Sequence, residues 1–384
     1  MTPPSTNIPS PRLRVLRVIA RMNIGGPALQ VAGLMRLQDP QIIQKLVTGF
    51  VPAHEADHLL LRDPSLEAIR IHSFGPQVRP CNDLRSLRAL IRICQDFKPH
   101  VVHTHTFKAG LLGRLAAEIA GVPYRVHTFH GHLLHSYFSS RPTALIIRTE
   151  ALLARRTDRI CAVGANVRDE LLLAGIGQHT QYRVVYPGVP CPELLSPREA
   201  RRELALSEDS VVVAFAGRID PVKRPDRLMR VAEFLLAKYS GVTIVIAGGG
   251  SQFNNVRTWA ARFSPRVRLL GWADNPGTLW SASDIALLTS DNEGVPVSLI
   301  EAQMAGVPVV ATDVGSTSEV VEHAVTGLLT PPHACALAEA ASGLVADPAL
   351  RARYSAAAYS RARTRFTVPR LQRETAALYT ELCS

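Results

Sequence analysis

Residues 284–312 read DIALLTSDNEGVPVSLIEAQMAGVPVVAT, and the fold follows from how this stretch is parsed. A short apolar run at 285–288 breaks into a polar loop at 290–294. A helical pattern then starts with Pro296 in its first turn, where a missing N–H costs nothing, and a second apolar run follows at 307–311. Strand, loop, helix, strand is the unit of a parallel sheet covered by helices, and in open sheets of that kind ligands bind beyond the carboxyl ends of the strands. The loop therefore lies where a ligand would. Glu293 stands on it, and Glu301 follows along the helix on the face that carries Val297 and Ser298. Between the two carboxylates, the first N–H groups of the helix and the positive end of its dipole make a seat for a phosphate. Such a row can hold a hydroxyl-bearing ring, an anion and a second diol, which a nucleotide sugar carries in that order.

Outward from this stretch the pattern repeats on both sides. Upstream, strands are expected over 13–20, 44–50, 67–71, 100–103, 124–128, 159–163 and 182–185, with helices from 27, over 83–97, after 107, and over 143–155 and 166–173. The segment 186–197, YPGVPCPELLSP, carries four prolines and reads as a linker. Beyond it, strands at 211–216, 242–247 and 267–270 alternate with helices at 224–239 and 251–263; a strand at 327–330 and Ala- and Arg-rich helices finish the chain. The organisation expected is a disordered tail over 1–12, an α/β domain over 13–185, the linker, a second α/β domain over 198–366, and a terminal helix over 367–384.

Composition narrows the function classes. With 47% apolar residues among 384, the chain can bury two sizeable cores. Its six cysteines show no C-x-x-C pair, as expected of free thiols in a reducing cytoplasm. No apolar run reaches the length of a membrane span, and the Pro-rich start, MTPPSTNIPSPR, is not a signal peptide. A net charge of +11 implies anionic company. Nucleic acid is not the expected partner, because the basic residues are dispersed, aromatics are only 6%, and no recognition motif is present. The pattern 83–97 puts Arg85, Arg88 and Arg92 on one stripe beside a broad apolar face, a candidate for peripheral contact with an anionic membrane.

Smaller constellations point to the same crevice. In GRIDPVKRPD, 217–226, Arg218 and Lys223 flank a strand-to-helix loop on the sheet edge that carries Glu293, where two cations would neutralise a diphosphate. IGGPALQ, 24–30, puts Gly25 and Gly26 before the first helix, where backbone can approach a ligand closely. Six histidines lie between His103 and His135; metal binding is not expected, since His103 and His105 alternate in a strand end and no carboxylate or cysteine joins them. His130 ends a strand at the crevice, while His127 reads as an interior residue. Lys108 opens a helix just past a strand, so its amine is a candidate for an acceptor phosphate or carboxylate. IAGGGSQ (246–252) and LLGW (269–272) supply Gly248, Gly249, Gly271 and Trp272 as further loop residues at strand ends.

The string EGVPVSLIEAQMAGVPVVAT resembles the E-x7-E signature of the family 4 glycosyltransferases, and GRIDPVKRPD resembles that family's G-R-x4-K-x-x-D element. The resemblance implies a GT-B fold: two Rossmann-like parallel-sheet domains facing a crevice, acceptor side first and nucleotide-sugar side second, with the last helix crossing back to the first domain. It implies that Glu293 contacts the donor sugar and that Glu301 holds the ribose. The amides of Gly294, Val295, Val297 and Ser298 would meet the diphosphate, with Arg218 and Lys223 stabilising it as it leaves. It sets His130, in TFHG, beside the donor sugar, and Gly25, Gly26, Gly248, Gly249, Gly271 and Trp272 around the donor. There is no D-x-D triplet, the nearest being Asp291-Asn292-Glu293 inside the signature, so no metal or other cofactor is expected. The function implied is transfer of a sugar, with retention, from a UDP- or GDP-type donor to a glycan, lipid-linked or small-molecule acceptor. The expected location is the cytoplasm, with possible contact at the inner face of the plasma membrane. A nucleotide-sugar 2-epimerase of the same fold and a non-catalytic nucleotide-sugar sensor are the alternatives; the former would need a general base and no acceptor.

Overall fold

A computed structural model of the chain describes residues 12–52, 55–131, 140–272 and 275–384. All but Arg12 of the expected tail lies outside the described residues, as do His132 and His135. The strands of the first half are β1 (Leu13–Ile19), β2 (Ile42–Thr48), β3 (Ile69–Arg70), β4 (Val101–His105), β5 (Tyr124–Phe129), β6 (Arg159–Ala162) and β7 (Tyr182–Val184). They pair in parallel in the order β3-β2-β1-β4-β5-β6-β7. The second half supplies β8 (Val211–Ala216), β9 (Val242–Ala247), β10 (Val267–Gly271), β11 (Ile285–Leu288), β12 (Val309–Thr312) and β13 (Gly327–Thr330), parallel in the order β10-β9-β8-β11-β12-β13. This is the two-domain, Rossmann-like GT-B architecture.

The central strands are near-continuous apolar runs because helices cover both faces of each sheet. VVVAFA of β8 and VTIVIA of β9 pair without a register shift from Val211↔Val242 to Ala216↔Ala247, and β9 is buried throughout. The helix Pro80–Phe97 shows the complementary logic. Leu90 and Cys94 are buried, with Leu87 and Ile91 packed beside them, in the core it shares with the helix Phe107–Ile119; Arg85, Arg88 and Arg92 are left facing water. The expected linker, 186–197, runs at its last residue into a helix, Pro197–Glu203. Ser196 and Glu199 close a capping box on it, Ser196 Oγ accepting from the Glu199 N–H at 3.3 Å.

Three contacts tie the halves together. The last helix, Val368–Cys383, returns to the first sheet and buries Leu371, Leu378 and Tyr379 among Val15, Val101 and Val126. Each such side chain contributes about 1.5–3 kcal/mol by leaving water. Glu319, in the second half, accepts from the N–H groups of Ala165 (2.6 Å) and Asn166 (2.9 Å) at the start of the helix Ala165–Leu173, and from Tyr186 Oη at 2.9 Å. This carboxylate caps a helix of the opposite domain. Gly294 meets backbone directly: a Cβ there would lie 2.6 Å from the His130 carbonyl oxygen and 2.9 Å from Gly131 Cα.

Candidate active site

Each sheet has one place where its strand order reverses, between β1 and β4 in the first and between β8 and β11 in the second. The loops leaving the carboxyl ends of these strands line one shared cavity of about 620 Å³. Its wall on one side is made by 23–27 after β1, Thr106 and Phe107 after β4, and 127–131 at the end of β5 and just beyond it. On the other side stand Gly217, Arg218 and Lys223 after β8, Gly248 after β9, Trp272 after β10, and 292–298 with Glu301 after β11. The fold thus brings together Gly25, Gly26, His130, Arg218, Lys223, Gly248, Trp272, Glu293, Gly294, Val295, Val297, Ser298 and Glu301.

The centre of the cavity's second wall is an ion pair. Lys223 Nζ and Ser290 Oγ both donate to Glu293 Oε1 at 2.5 Å, in a place where the side chains of Lys223 and Glu293 are only 15% and 9% exposed. At that burial the attraction is far stronger than at an open surface. The geometry is built from local turns. Lys223 ends a 3-10 turn, Pro221–Lys223, whose carbonyls accept from Thr289 Oγ1 (Lys223 O, 2.8 Å) and from the Asp291 N–H (Val222 O, 2.9 Å). Asp291 in turn receives Arg224 Nη1 at 2.9 Å and Arg227 Nη2 at 2.7 Å, so two loops some 70 residues apart are stitched into one surface. Arg224 and Arg227 were not singled out from the sequence; their role depends on a contact between distant segments. Arg218 lines the same wall, 41% exposed and 3.0 Å from Asp220.

Pro296 stands just outside the helix, with φ −71° and ψ 101°, so the helix runs Val297–Met304, one residue later than expected. The N–H groups of Val297 and Ser298 open its ladder, where no intrahelical acceptor is available to them, and both residues lie on the cavity wall. Glu301 follows one turn on. Burial pushes its carboxyl above the usual range, while the charge of Arg62 and the indole of Trp280 act in the opposite sense. Arg62 comes from the other domain, directly after the helix His58–Leu61, and also lines the cavity. No sequence signal marks Arg62, because that four-residue helix carries no periodicity.

On the facing wall, His130 is pushed down to a pKa of about 3 by burial and is neutral. Its Nε2 lies 3.0 Å from Nδ1 of His105, a residue that the strand pattern does not set apart from its neighbour His103. His127 is fully buried, with Nδ1 2.8 Å from Thr104 Oγ1. Gly26 faces the second wall closely: a Cβ there would lie 3.1 Å from Val297 Cγ2, a tight contact across the cavity. Gly248 has φ +140°, and a Cβ would collide with the Gly217 carbonyl.

Three candidates are not on the wall. Lys108 is 7% exposed and is paired with Asp83 Oδ1 at 2.5 Å, and it donates to the Gln77 carbonyl. Gly249 lies behind Trp272, where a Cβ would meet the indole nitrogen at 2.6 Å; Gly271, at φ +68°, ends β10. Among the described residues no group of three His, Cys, Asp or Glu side chains converges as a metal site.

Comparison with known proteins gives a consistent result. Residues 25–188 match the family described as glycosyl transferase 4-like domain, and residues 197–361 match that described as glycosyl transferases group 1. Over 276 residues the chain is 26% identical to the UDP-Gal:alpha-D-GlcNAc-diphosphoundecaprenol alpha-1,3-galactosyltransferase of Escherichia coli, covering 70% of this chain and 71% of that protein. Over 274 residues it is 34% identical to the D-inositol 3-phosphate glycosyltransferase of Actinosynnema mirum, covering 65% of each. The chain thus spans just under two thirds of that relative's length. Among solved structures, Anabaena HepE in complex with UDP and glucose superposes with a TM-score of 0.81 at 22% identity, covering 96% of this chain and 100% of that one. Sucrose-phosphate synthase from Thermosynechococcus elongatus superposes at 0.77 with 19% identity, covering 96% and 99%. At these identities the structures speak for the fold.

Proposed function

Since this chain belongs to the family 4 glycosyltransferases, through its 4-like and group 1 domains, we propose that it transfers a sugar from a UDP-sugar to a lipid-linked or small phosphorylated acceptor, with retention at the anomeric carbon. The observation that carries this reading is the convergence of Glu293, Lys223, the Val297–Met304 helix start and Glu301 on one wall of a cavity whose other wall presents His130. The donor and acceptor classes are supported by the names of the E. coli and Actinosynnema relatives.

In the reaction we propose, the bond from the anomeric carbon to the diphosphate oxygen breaks with its electron pair staying on the diphosphate. The acceptor hydroxyl attacks from the same face and passes its proton to that departing oxygen, so no nucleophile of the protein takes part. Lys223 has three donors on its ammonium and can hold Glu293 and a diphosphate oxygen at once. Arg218 and the N–H groups of Val297 and Ser298 add preorganised positive charge at the leaving group. Glu301 accepts from the ribose hydroxyls. Arg218 and Lys223 do the work of a divalent cation in this scheme. Supplied with UDP-sugars and a pool of acceptors, the protein should release UDP only when an acceptor is present, and at an undiminished rate in excess chelator. Epimer formation without acceptor would sink the assignment; complete loss with chelator, restored by magnesium or manganese, would sink the role given to the two cations.

No helix among the described residues is long and apolar enough to cross a membrane. We propose that the protein works in the cytoplasm at an anionic membrane surface. The apolar face of the helix Pro80–Phe97 is occupied by packing, but its outer stripe keeps Arg85, Arg88 and Arg92 exposed, beside Val78 at 75% and Leu84 at 47% exposure. The protein should co-sediment with acidic vesicles at low salt and be released by added salt. No binding at any acidic-lipid fraction would end this part of the reading.

A further inference from the structure

Three histidines of the first domain form a chain in which each ring leans on the next. His103 and His105 stack with ring centres 4.4 Å apart, and His105 lies 5.2 Å from His130. His103 Nδ1 meets Tyr379 Oη at 2.5 Å and Arg17 Nη1 at 3.1 Å, and its Nε2 meets Thr128 Oγ1 at 2.7 Å, so both of its nitrogens are engaged. His105 is different. It is wholly buried; Nδ1 is engaged with His130 Nε2 at 3.0 Å, and Nε2 is buried without a hydrogen-bond partner. Arg17, itself fully buried, stands behind the group with its charge.

Only one nitrogen of a neutral imidazole carries hydrogen, so the short contact between the two rings couples their tautomers. If His105 held its proton on Nε2, a buried N–H would have no acceptor, which is the rarer defect in folded proteins. If the proton is on Nδ1, it is donated to His130 Nε2, and what remains at His105 Nε2 is a bare lone pair. The second arrangement leaves His130 with its proton on Nδ1. We infer that His105 is a positioning residue that holds His130 in the Nδ1–H tautomer, so that His130 acts as a hydrogen-bond donor, never an acceptor through that nitrogen, to the sugar being transferred. The arrangement rests on the reading of the cavity as a sugar-transfer site. Charge supports it from behind: burial first, then the neighbouring histidines and Arg17, push His105 well below its ordinary pKa and keep the pair uncharged.

The test uses the full chain labelled with 15N histidine, with the His130 signal assigned by its loss in His130→Ala. In the unsubstituted protein His130 should show the Nδ1–H pattern in long-range 1H–15N spectra. His105→Leu, which removes the donor, should shift His130 toward the Nε2–H pattern and lower kcat about 10-fold, the scale of one lost hydrogen bond, with donor KM unchanged. His105→Asn places an amide N–H where Nδ1–H was; it should restore both the Nδ1–H pattern and kcat to within about threefold of the original. Nε2–H at His130 in the unsubstituted protein overturns the inference. So do Leu and Asn variants equally impaired at equal melting temperature, since a structural role alone predicts that. A protein that shows the tautomer switch but transfers no sugar overturns the reading of the reaction instead, and leaves the pairing of the two rings standing.

Discussion

Glu293→Gln is expected to lower kcat by roughly 10²- to 10³-fold, the effect of removing one preorganised charge from a transition state, while the donor KM changes little. The amide keeps an oxygen where Lys223 and Ser290 now donate, so the two loops stay together and what is lost is the negative charge. That charge matters most when the sugar ring flattens and becomes positive as the bond to phosphate breaks. Glu301→Gln is the control on the same cavity wall. Ribose hydroxyls stay on the nucleotide throughout, so loss of Glu301 removes binding that is equal in ground and transition states; KM should rise while kcat stays within a few-fold. Calorimetry with free UDP separates the two without turnover, binding the Glu293 variant normally and the Glu301 variant poorly. The opposite pattern would overturn the roles given to both carboxylates.

Stability is expected to fall steeply as the pH drops below about 6.5. His103, His105 and His127 are 2%, 0% and 0% exposed, and burial pushes each well below its ordinary value. Between 6.5 and those depressed values the unfolded chain binds protons that the folded chain refuses, so the stability is fully present above 6.5 and is lost as pH falls. Glu150 and Glu301 work in the other direction: burial raises their carboxyls, so the folded chain takes up protons first between their raised values and about 4.5. His130 is pushed down as well, so the depressed histidines outnumber these two carboxyls and the unfolded chain binds at least one proton more over the window, or at least about 1.4 kcal/mol per pH unit. Urea unfolding measured at half-unit steps from pH 7 to 5 checks the sign. A flat or rising midpoint on acidification would mean that the histidine group is charged or hydrated in the folded state.

Much of the fold was legible because the strands are apolar runs bounded by glycine and polar loops. β8, β9, β11 and β13 occupy the residues that their patterns mark, since strands buried on both faces leave little doubt about where burial ends. The helix Pro197–Glu203 was obscured by prolines, although the S-x-x-E capping box at Ser196 and Glu199 was there to be read. Periodicity and loop position suffice to put Glu293, Lys223 and His130 on the cavity wall. They fail for Lys108, whose place after β4 is the same but whose side chain is taken up by Asp83 on the neighbouring helix. They fail again for Arg62 and His105, whose partners lie in another domain or on another strand. Alternation along β4 marks His103 and His105 as equivalent; only β5 alongside distinguishes them, by offering Thr128 to one and leading to His130 for the other.

The return of the last helix to the first sheet orders events during synthesis. Val15, Val101 and Val126 emerge from the ribosome early, but the side chains that complete their core, Leu371, Leu378 and Tyr379, are made only after the entire second domain. The first domain is therefore born with a groove open along its sheet. The strands of the second domain, β8 to β13, come from one uninterrupted stretch of chain. One layer of the first domain's core is thus completed by the last part of the chain to be made. Until its last helix arrives, the nascent protein exposes an apolar surface for which a chaperone is the natural temporary cover.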